Sequence, residues 1–190
     1  LSDVLLGLLL GVLLLIAFNK LLKPVGAWLN KQSLRNQILL AFFSSLYIIG
    51  LSAMAVALSD GWQMPAEWAA NAGEVDPLSL DGALTTAGLW FGMLAGFAWL
   101  RDRRGIIQSS FGKWQRLLRY VVGIAGVVAL YAGLGSLFPK DLGLLSAVLR
   151  YFRYFLIGLW IACLSPLLFE KLKIGRIEPD FEPRTTAPLL

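Results

Sequence analysis

The chain consists of long apolar runs that are almost free of charge, separated by short segments that hold most of its charged residues. Such runs are typical of helices solvated by lipid, since a helix needs roughly 20 apolar residues to cross a bilayer. The pattern predicts five membrane-spanning helices, at about Asp3–Asn19, Gln37–Leu58, Asp76–Leu100, Tyr120–Phe138 and Leu144–Leu172. The predicted fold is therefore all-α, a polytopic integral membrane bundle.

Prolines and polar residues indicate where these spans start, bend or stop. Pro24 is predicted to break the first helix, which would leave Val25–Leu34 along the membrane interface. Asp76 followed by Pro77 is typical of a helix start, with a capping side chain and then a proline in the first turn. Pro166 is expected to kink the fifth span.

Two polar segments are predicted to lie outside the spans. Residues Ser59–Ser79 contain acidic side chains and no lysine or arginine, and their Trp62 and Trp68 indicate an interfacial helix. The tail, residues 173–190, contains three prolines and is predicted to be an irregular cytoplasmic segment.

Composition supports a membrane protein and restricts its chemistry. Hydrophobic residues make up 57% of the chain and charged residues only 15%, against roughly 45–50% and about 25% in soluble domains. Histidine is absent, which removes the commonest metal ligand and the commonest general base at neutral pH. The single cysteine, Cys163, is interpreted as a small apolar residue within a helix. We therefore expect no metal and no cofactor in this chain.

The distribution of basic residues predicts how the chain is oriented. Of the 17 lysines and arginines, 14 fall in Lys20–Arg35, Arg101–Arg119 and the segment from Lys171 onward. Short basic loops stay on the cytoplasmic side. We thus expect a cytoplasmic C-terminus, with Leu1–Asp3 on the opposite side, which is the periplasm if the protein lies in a bacterial inner membrane. The net charge of +5 is explained by this bias and by anionic lipid, so no nucleic-acid partner is expected.

Three charged residues near the predicted outer side are candidates for a functional site. Asp3 fits a first-turn helix acid by its local sequence, and a functional role for it needs a partner that the chain does not contain. Arg150 and Arg153 lie three residues apart near the outer end of the last span. They either recognise lipid phosphate or extend their charged groups to the headgroup region. Asp81, early in the third span, is interpreted as a first-turn helix acid, and a pairing with Arg150 or Arg153 is left open.

Small residues recur at four-residue spacing in the third span, at Gly88, Gly92 and Gly96. Such a face permits close contact between helices. The contact is either packing within the monomer or a homodimer interface. Gly7 and Gly11 form a shorter face of the same kind.

Residues Leu1–Gly7 (LSDVLLG) resemble the end of the third signature motif of the type 2 phosphatidic acid phosphatase family. That motif reads Ser-Arg, five residues, His, three residues, Asp, often with a glycine within the next turn. The rest of the chain resembles the multi-span extension that follows this motif in some bacterial members. The segments that carry this likeness are Trp62–Trp68, Asp76–Gly82, Leu149–Tyr154 and Gly158–Trp160.

The resemblance implies a metal-independent lipid phosphatase that acts through a phosphohistidine. Asp3 would orient the nucleophilic histidine one helix turn before it, which would place that histidine ahead of Leu1 in a longer protein. Residues 1–20 would be the last helix of the phosphatase core and residues 21–172 a four-span extension. The expected partners are membrane lipids and a lipid phosphate substrate, and this chain alone is expected to be inactive. The alternative is a non-enzymatic polytopic membrane protein, either an assembly factor or a transporter subunit.

Overall fold

Long apolar helices dominate the chain in a computed structural model, which describes residues 2–59, 61–65, 76, 78–107, 112–137 and 143–179. The elements are α1 (Ser2–Asn30), α2 (Leu34–Leu58), α3 (Asp81–Arg103), β1 (Ile106–Ile107), α4 (Lys113–Leu137), α5 (Leu144–Leu159), a π-helical turn (Trp160–Leu164), α6 (Ser165–Lys171) and β2 (Ile177–Glu178). Five helices in these ranges are long and apolar enough to cross a membrane, if α5, the π turn and α6 count as one span. The prediction of an all-α bundle with five spans is confirmed.

The first helix continues through its proline. Pro24 lies inside α1, so the predicted break is wrong, and residues 25–30 extend the helix. A proline removes one helical N–H, but membrane helices tolerate it when the surrounding backbone finds other partners. The corner between α1 and α2 is held by Gln37, whose Nε2 donates to the carbonyl oxygens of Leu29 (2.9 Å) and Gln32 (3.1 Å).

Two other helices start at different residues from those predicted. The third span starts at Asp81, because Asp76 folds its carboxylate onto the N–H of Leu78 (3.1 Å) and forms a local turn. The fourth starts at Lys113, seven residues before Tyr120. Residues 113–119 are too polar to be predicted as membrane-embedded, but most of them are good helix formers.

The predicted polar segments are described only in part. Most of the predicted interfacial helix over Ser59–Ser79 lies outside the described residues, as do Trp68 and Pro77, and residues 61–65 are not helical. Residues 180–190 of the tail also lie outside them. The described beginning of the tail departs from the irregular structure predicted, because β2 pairs antiparallel with β1, with Ile107 opposite Ile177.

Helix α3 lies at the centre of the bundle because its small residues let α5 approach closely. A Cβ atom on Gly92 would overlap the carbonyl oxygen of Phe155, and one on Gly96 would lie 3.2 Å from the Cβ of Cys163. The two helices run parallel, while α2 packs on α3 and α4 packs on α5. The glycine face is thus filled within the chain, as the intramolecular alternative predicts, and the homodimer stays a prediction. Cys163 is buried in this contact, as its interpretation as a small apolar residue predicts.

The last span contains a π-helical turn directly before Pro166. Proline cannot donate to the carbonyl four residues earlier, and its ring crowds that carbonyl. The backbone responds one residue earlier, where the N–H of Ser165 bonds to the carbonyl oxygen of Trp160, five residues back. The hydroxyl of Ser165 then donates to the carbonyl oxygen of Ile161 (3.3 Å). The span therefore has a wider turn before Pro166, and the kink expected there stays a prediction.

Candidate functional site

The starts of α3 and α5 are joined by an ion pair, at the end of the bundle that we call the Asp81 end. Arg150 Nη2 lies 2.8 Å from Asp81 Oδ2. Asp81 thus lies in the first turn of α3, as predicted, and also pairs with one of the two arginines, which the sequence left open. Because the Asp81 side chain is 54% exposed, the pair contributes at most about 1 kcal/mol to stability. Its main consequence is that Arg150 is directed toward α3.

Arg153 has a different environment from Arg150, although only three residues separate them. Its guanidinium carbon lies 5.0 Å from the ring centre of Tyr131 on α4 and 5.1 Å from that of Tyr154 on α5. The backbone of Gly135 also lies against it, since a Cβ there would sit 2.9 Å from Nη1. Nε is buried and donates no hydrogen bond to any of the described residues. The two tyrosines hold the cation in place and leave its donors available.

A buried polar contact next to the arginines was missed by the sequence analysis. The hydroxyl of Ser45 is fully buried and lies 2.7 Å from the hydroxyl of Tyr151. Because Ser45 donates its own proton to the carbonyl of Phe42 (2.7 Å), Tyr151 must be the donor to Ser45. The neighbouring Ser44 accepts a hydrogen bond from the indole of Trp90 (2.9 Å). The sequence feature that predicts such a contact is the pair of serines, Ser44 and Ser45, in the middle of an apolar span, because hydroxyl groups there form hydrogen bonds with neighbouring helices.

Asp3 is not part of this cluster in the described contacts. It is exposed in the first turn of α1, where the hydroxyl of Ser2 lies 3.4 Å from its Oδ1. No residue of α1 is buried. The helix meets the others near its last turn, where Asn30 accepts a hydrogen bond from Arg101 (2.6 Å). The structure thus brings Arg150 and Arg153 close to Asp81 and Tyr131, and leaves Asp3 on a separate helix.

The described cluster at the Asp81 end is rich in hydrogen-bond donors. Its described side chains are two guanidinium groups, several phenols and one carboxylate, and the carboxylate is already paired with Arg150. Among the described residues no three Cys, Asp or Glu side chains come together as metal ligands, and the expectation of metal-independent chemistry stays a prediction. The cluster supplies donors for a phosphate group, while a nucleophile or general base would have to come from elsewhere.

In comparisons with known proteins, one family model matches about half of the chain. Residues 84–177 match the family described as the transmembrane extension of PAP2 superfamily phosphatases. No curated protein and no solved structure matches the chain. The matched segment runs from the first turn of α3 to β2, so it includes both arginines and the π turn, and it excludes α1 and α2. The match supports a PAP2-related integral membrane protein.

Proposed function

We propose that this chain is the membrane-embedded C-terminal part of a PAP2 superfamily phosphatase that removes phosphate from a membrane lipid. The observation that carries the proposal is the match of residues 84–177 to the transmembrane extension of that superfamily. In this proposal residues 1–20 are the last helix of the phosphatase core, residues 21–172 are the extension, and residues 173–190 are a cytoplasmic tail. The separation of α1 from the other helices along most of its length supports the first of these divisions.

Asp3 is proposed as the residue that positions the nucleophile. A histidine four residues earlier on the same helix would share a face with it, so the carboxylate could accept the ring N–H, fix the tautomer and stabilise the imidazolium. The attack would transfer the phosphoryl group to that histidine and release the lipid alcohol or monophosphate, and water would then release phosphate. Since this sequence contains no histidine, the nucleophile must be supplied from outside it.

Arg153 is proposed to contact the phosphate of the substrate, with Arg150 in a supporting role. Arg150 already shares its charge with Asp81, whereas Arg153 is held between aromatic rings with its Nε unsatisfied. Among the described residues Arg153 has no carboxylate partner, and such a guanidinium near a bilayer surface favours a phosphate group as its ligand. The substrate would be a lipid phosphomonoester or diphosphate, such as phosphatidate or a polyprenyl diphosphate.

The membrane topology supports a common location for these residues. Five crossings alternate in direction, so α1, α3 and α5 all start on the same side if each of them spans the bilayer. Asp3, Asp81 and Arg150 lie in or near the starts of those helices. The distribution of basic residues favours the outer, periplasmic side for this end.

Phosphate release by the complete protein that contains this sequence, in lipid vesicles, tests the proposal. Wild type should release phosphate from phosphatidate or a polyprenyl diphosphate. Asp3→Asn should lower kcat by at least ~100-fold, by analogy with the orienting aspartate of a serine triad, and leave KM nearly unchanged. Asparagine caps a helix as well as aspartate does, so a capping role alone predicts normal turnover. Asp3→Glu should restore part of the activity, because it returns a carboxylate.

Arg153 requires a separate comparison in the same assay. Arg153→Gln should raise KM, because the charge that holds the substrate phosphate is lost. The matched control is Arg103→Gln, which removes one charge from an exposed arginine at the other end of α3. A wild-type protein that releases no phosphate from either lipid would return the chain to the non-enzymatic alternative. An Asp3→Asn variant with normal kcat would instead return Asp3 to the role of a first-turn helix acid.

A further inference from the structure

A cavity with basic lining lies at the opposite end of the bundle from Asp81, where α3 ends and α4 starts. We call this the Arg101 end. It is a cleft of about 700 Å³ between α4, the π turn and α6, a size typical of small-molecule sites. Its lining residues are Ile107, Arg116, Arg119, Tyr120, Ile161, Ser165, Pro166 and Phe169. The described lining includes two guanidinium groups and no carboxylate. The described lining therefore combines basic and apolar side chains.

The π turn forms one side of this cleft. Ile161 lines the cleft from that turn, and Ser165 and Pro166, the first two residues of α6, follow it. π turns inside α-helices occur frequently at functional sites. Arg116 and Arg119 are three residues apart on α4, so both reach the same face of the helix. The cleft thus combines a local distortion in one helix with two cations from its neighbour.

An apolar groove continues from this cleft along α4. It has a volume of about 510 Å³ and is lined by Tyr120, Val121, Ile124, Ala125, Val128 and Ala129. Tyr120 belongs to both cavities, so the groove begins where the cleft ends. Nine residue steps of helix extend for about 14 Å, in the direction away from the basic residues. This is the length of a substantial part of an acyl chain within one leaflet.

We propose that the cleft and the groove together bind one anionic phospholipid. Arg116 and Arg119 hold its phosphate, and one acyl chain lies along α4 against Ala125 and Ala129. Guanidinium groups bind phosphate with paired, charge-assisted hydrogen bonds. The apolar groove requires an occupant with a long hydrocarbon segment, which a free phosphate ion does not have. This site lies at the other end of the bundle from the proposed phosphatase site and does not depend on phosphatase activity.

Retention of lipid by the purified full chain tests this proposal. The chain is reconstituted in nanodiscs with equal amounts of phosphatidylglycerol and phosphatidylcholine, transferred to detergent, and examined by native mass spectrometry. Wild type should retain one phosphatidylglycerol in preference to phosphatidylcholine. Arg116→Gln and Arg119→Gln should each lower this preference by about tenfold, because each removes a charge-assisted contact. Arg103→Gln removes the same charge from an exposed site at the same end and should leave the preference unchanged.

A second pair of variants tests whether an acyl chain occupies the groove along α4. Ala125→Phe fills the groove and should weaken retention of lipids with long chains, while Ala132→Phe, on the same helix but outside the groove lining, should not. Inorganic phosphate at millimolar concentration should not displace the lipid, because it gains nothing from the groove. Equal losses in Arg116→Gln and Arg103→Gln, or equal retention of both lipids, would overturn the site. Displacement by inorganic phosphate would overturn the assignment of a phospholipid as its occupant. Thermal unfolding of each variant establishes that it is folded.

Discussion

Gly92 offers the sharpest test of how the bundle is packed. It lies in α3 where the backbone of α5 passes directly against it. Replacing it with alanine adds one Cβ atom. That atom would overlap the carbonyl oxygen of Phe155 and lie 2.9 Å from the backbone nitrogen of Leu159. Both are main-chain atoms of a helix, so no side-chain rotation relieves the contact and the two helices must separate.

The size of the effect follows from two opposing contributions. Adding a methyl group to a filled contact costs about 1–3 kcal/mol, and replacing glycine in a helix interior gains up to about 1 kcal/mol. Gly50 in α2 provides the matched control, since an added Cβ there meets nothing within 4 Å. Gly50→Ala should therefore be neutral or slightly stabilising. We expect the free energy of unfolding of Gly92→Ala to be about 2 kcal/mol lower than that of Gly50→Ala.

Reversible unfolding in mixed micelles, followed by tryptophan fluorescence during a titration with sodium dodecyl sulfate, measures this difference. Native electrophoresis of the same samples reports the oligomeric state. If Gly92→Ala and Gly50→Ala unfold within about 0.5 kcal/mol of each other, the close packing of α3 on α5 is wrong. A variant that loses a dimer while its monomer keeps full stability would support the homodimer alternative for the glycine face.

Two polar contacts across helices provide further predictions. Tyr151→Phe should lower the free energy of unfolding by about 0.5–1 kcal/mol, because it removes the donor to the buried Ser45 hydroxyl. The control is Tyr47→Phe, which changes a largely exposed tyrosine on the same helix as Ser45 and should leave the free energy of unfolding unchanged. Equal effects of the two variants would show that the hydrogen bond contributes nothing to stability. Asp81→Asn should lower the free energy of unfolding by at most about 1 kcal/mol at low salt, because it weakens the pair with Arg150. This difference from wild type should disappear at high ionic strength. A difference that does not change with salt would indicate another role for the carboxylate.

The spans could be predicted from the sequence because lipid selects for uninterrupted apolar runs. The second span, predicted from Gln37, starts at Leu34, and the fifth was placed within one residue at both ends. Hydropathy indicates only the part of a helix that lies in lipid. It therefore missed the polar first turns of α4, which starts at Lys113. Pro24 misled the prediction because a general rule for soluble helices was applied to a membrane helix.

The residues of the candidate site could be selected from the sequence, but the way in which they pack against one another could not be predicted. Arg150, Arg153 and Asp81 were all selected from sequence, and the pair between Asp81 and Arg150 was among the alternatives considered. The position of Arg153 against Tyr131 depends on how α4 packs on α5, which no local pattern encodes. The cleft at the Arg101 end was missed for the same reason, since its lining comes from α4, the π turn, α6 and β1.

The proposed function depends on the side of the membrane on which each end of the bundle lies. Labelling of single cysteines with a membrane-impermeant maleimide in intact cells measures this directly. The background is Cys163→Ala, which removes the only native thiol, and the reporters are Ser2→Cys, Ser79→Cys and Gly112→Cys. Five alternating crossings predict that Ser2→Cys and Ser79→Cys react in intact cells, whereas Gly112→Cys reacts only after permeabilisation. If Ser2→Cys instead behaved like Gly112→Cys, α1 would not cross with the others, and Asp3 could not share a side with Arg153.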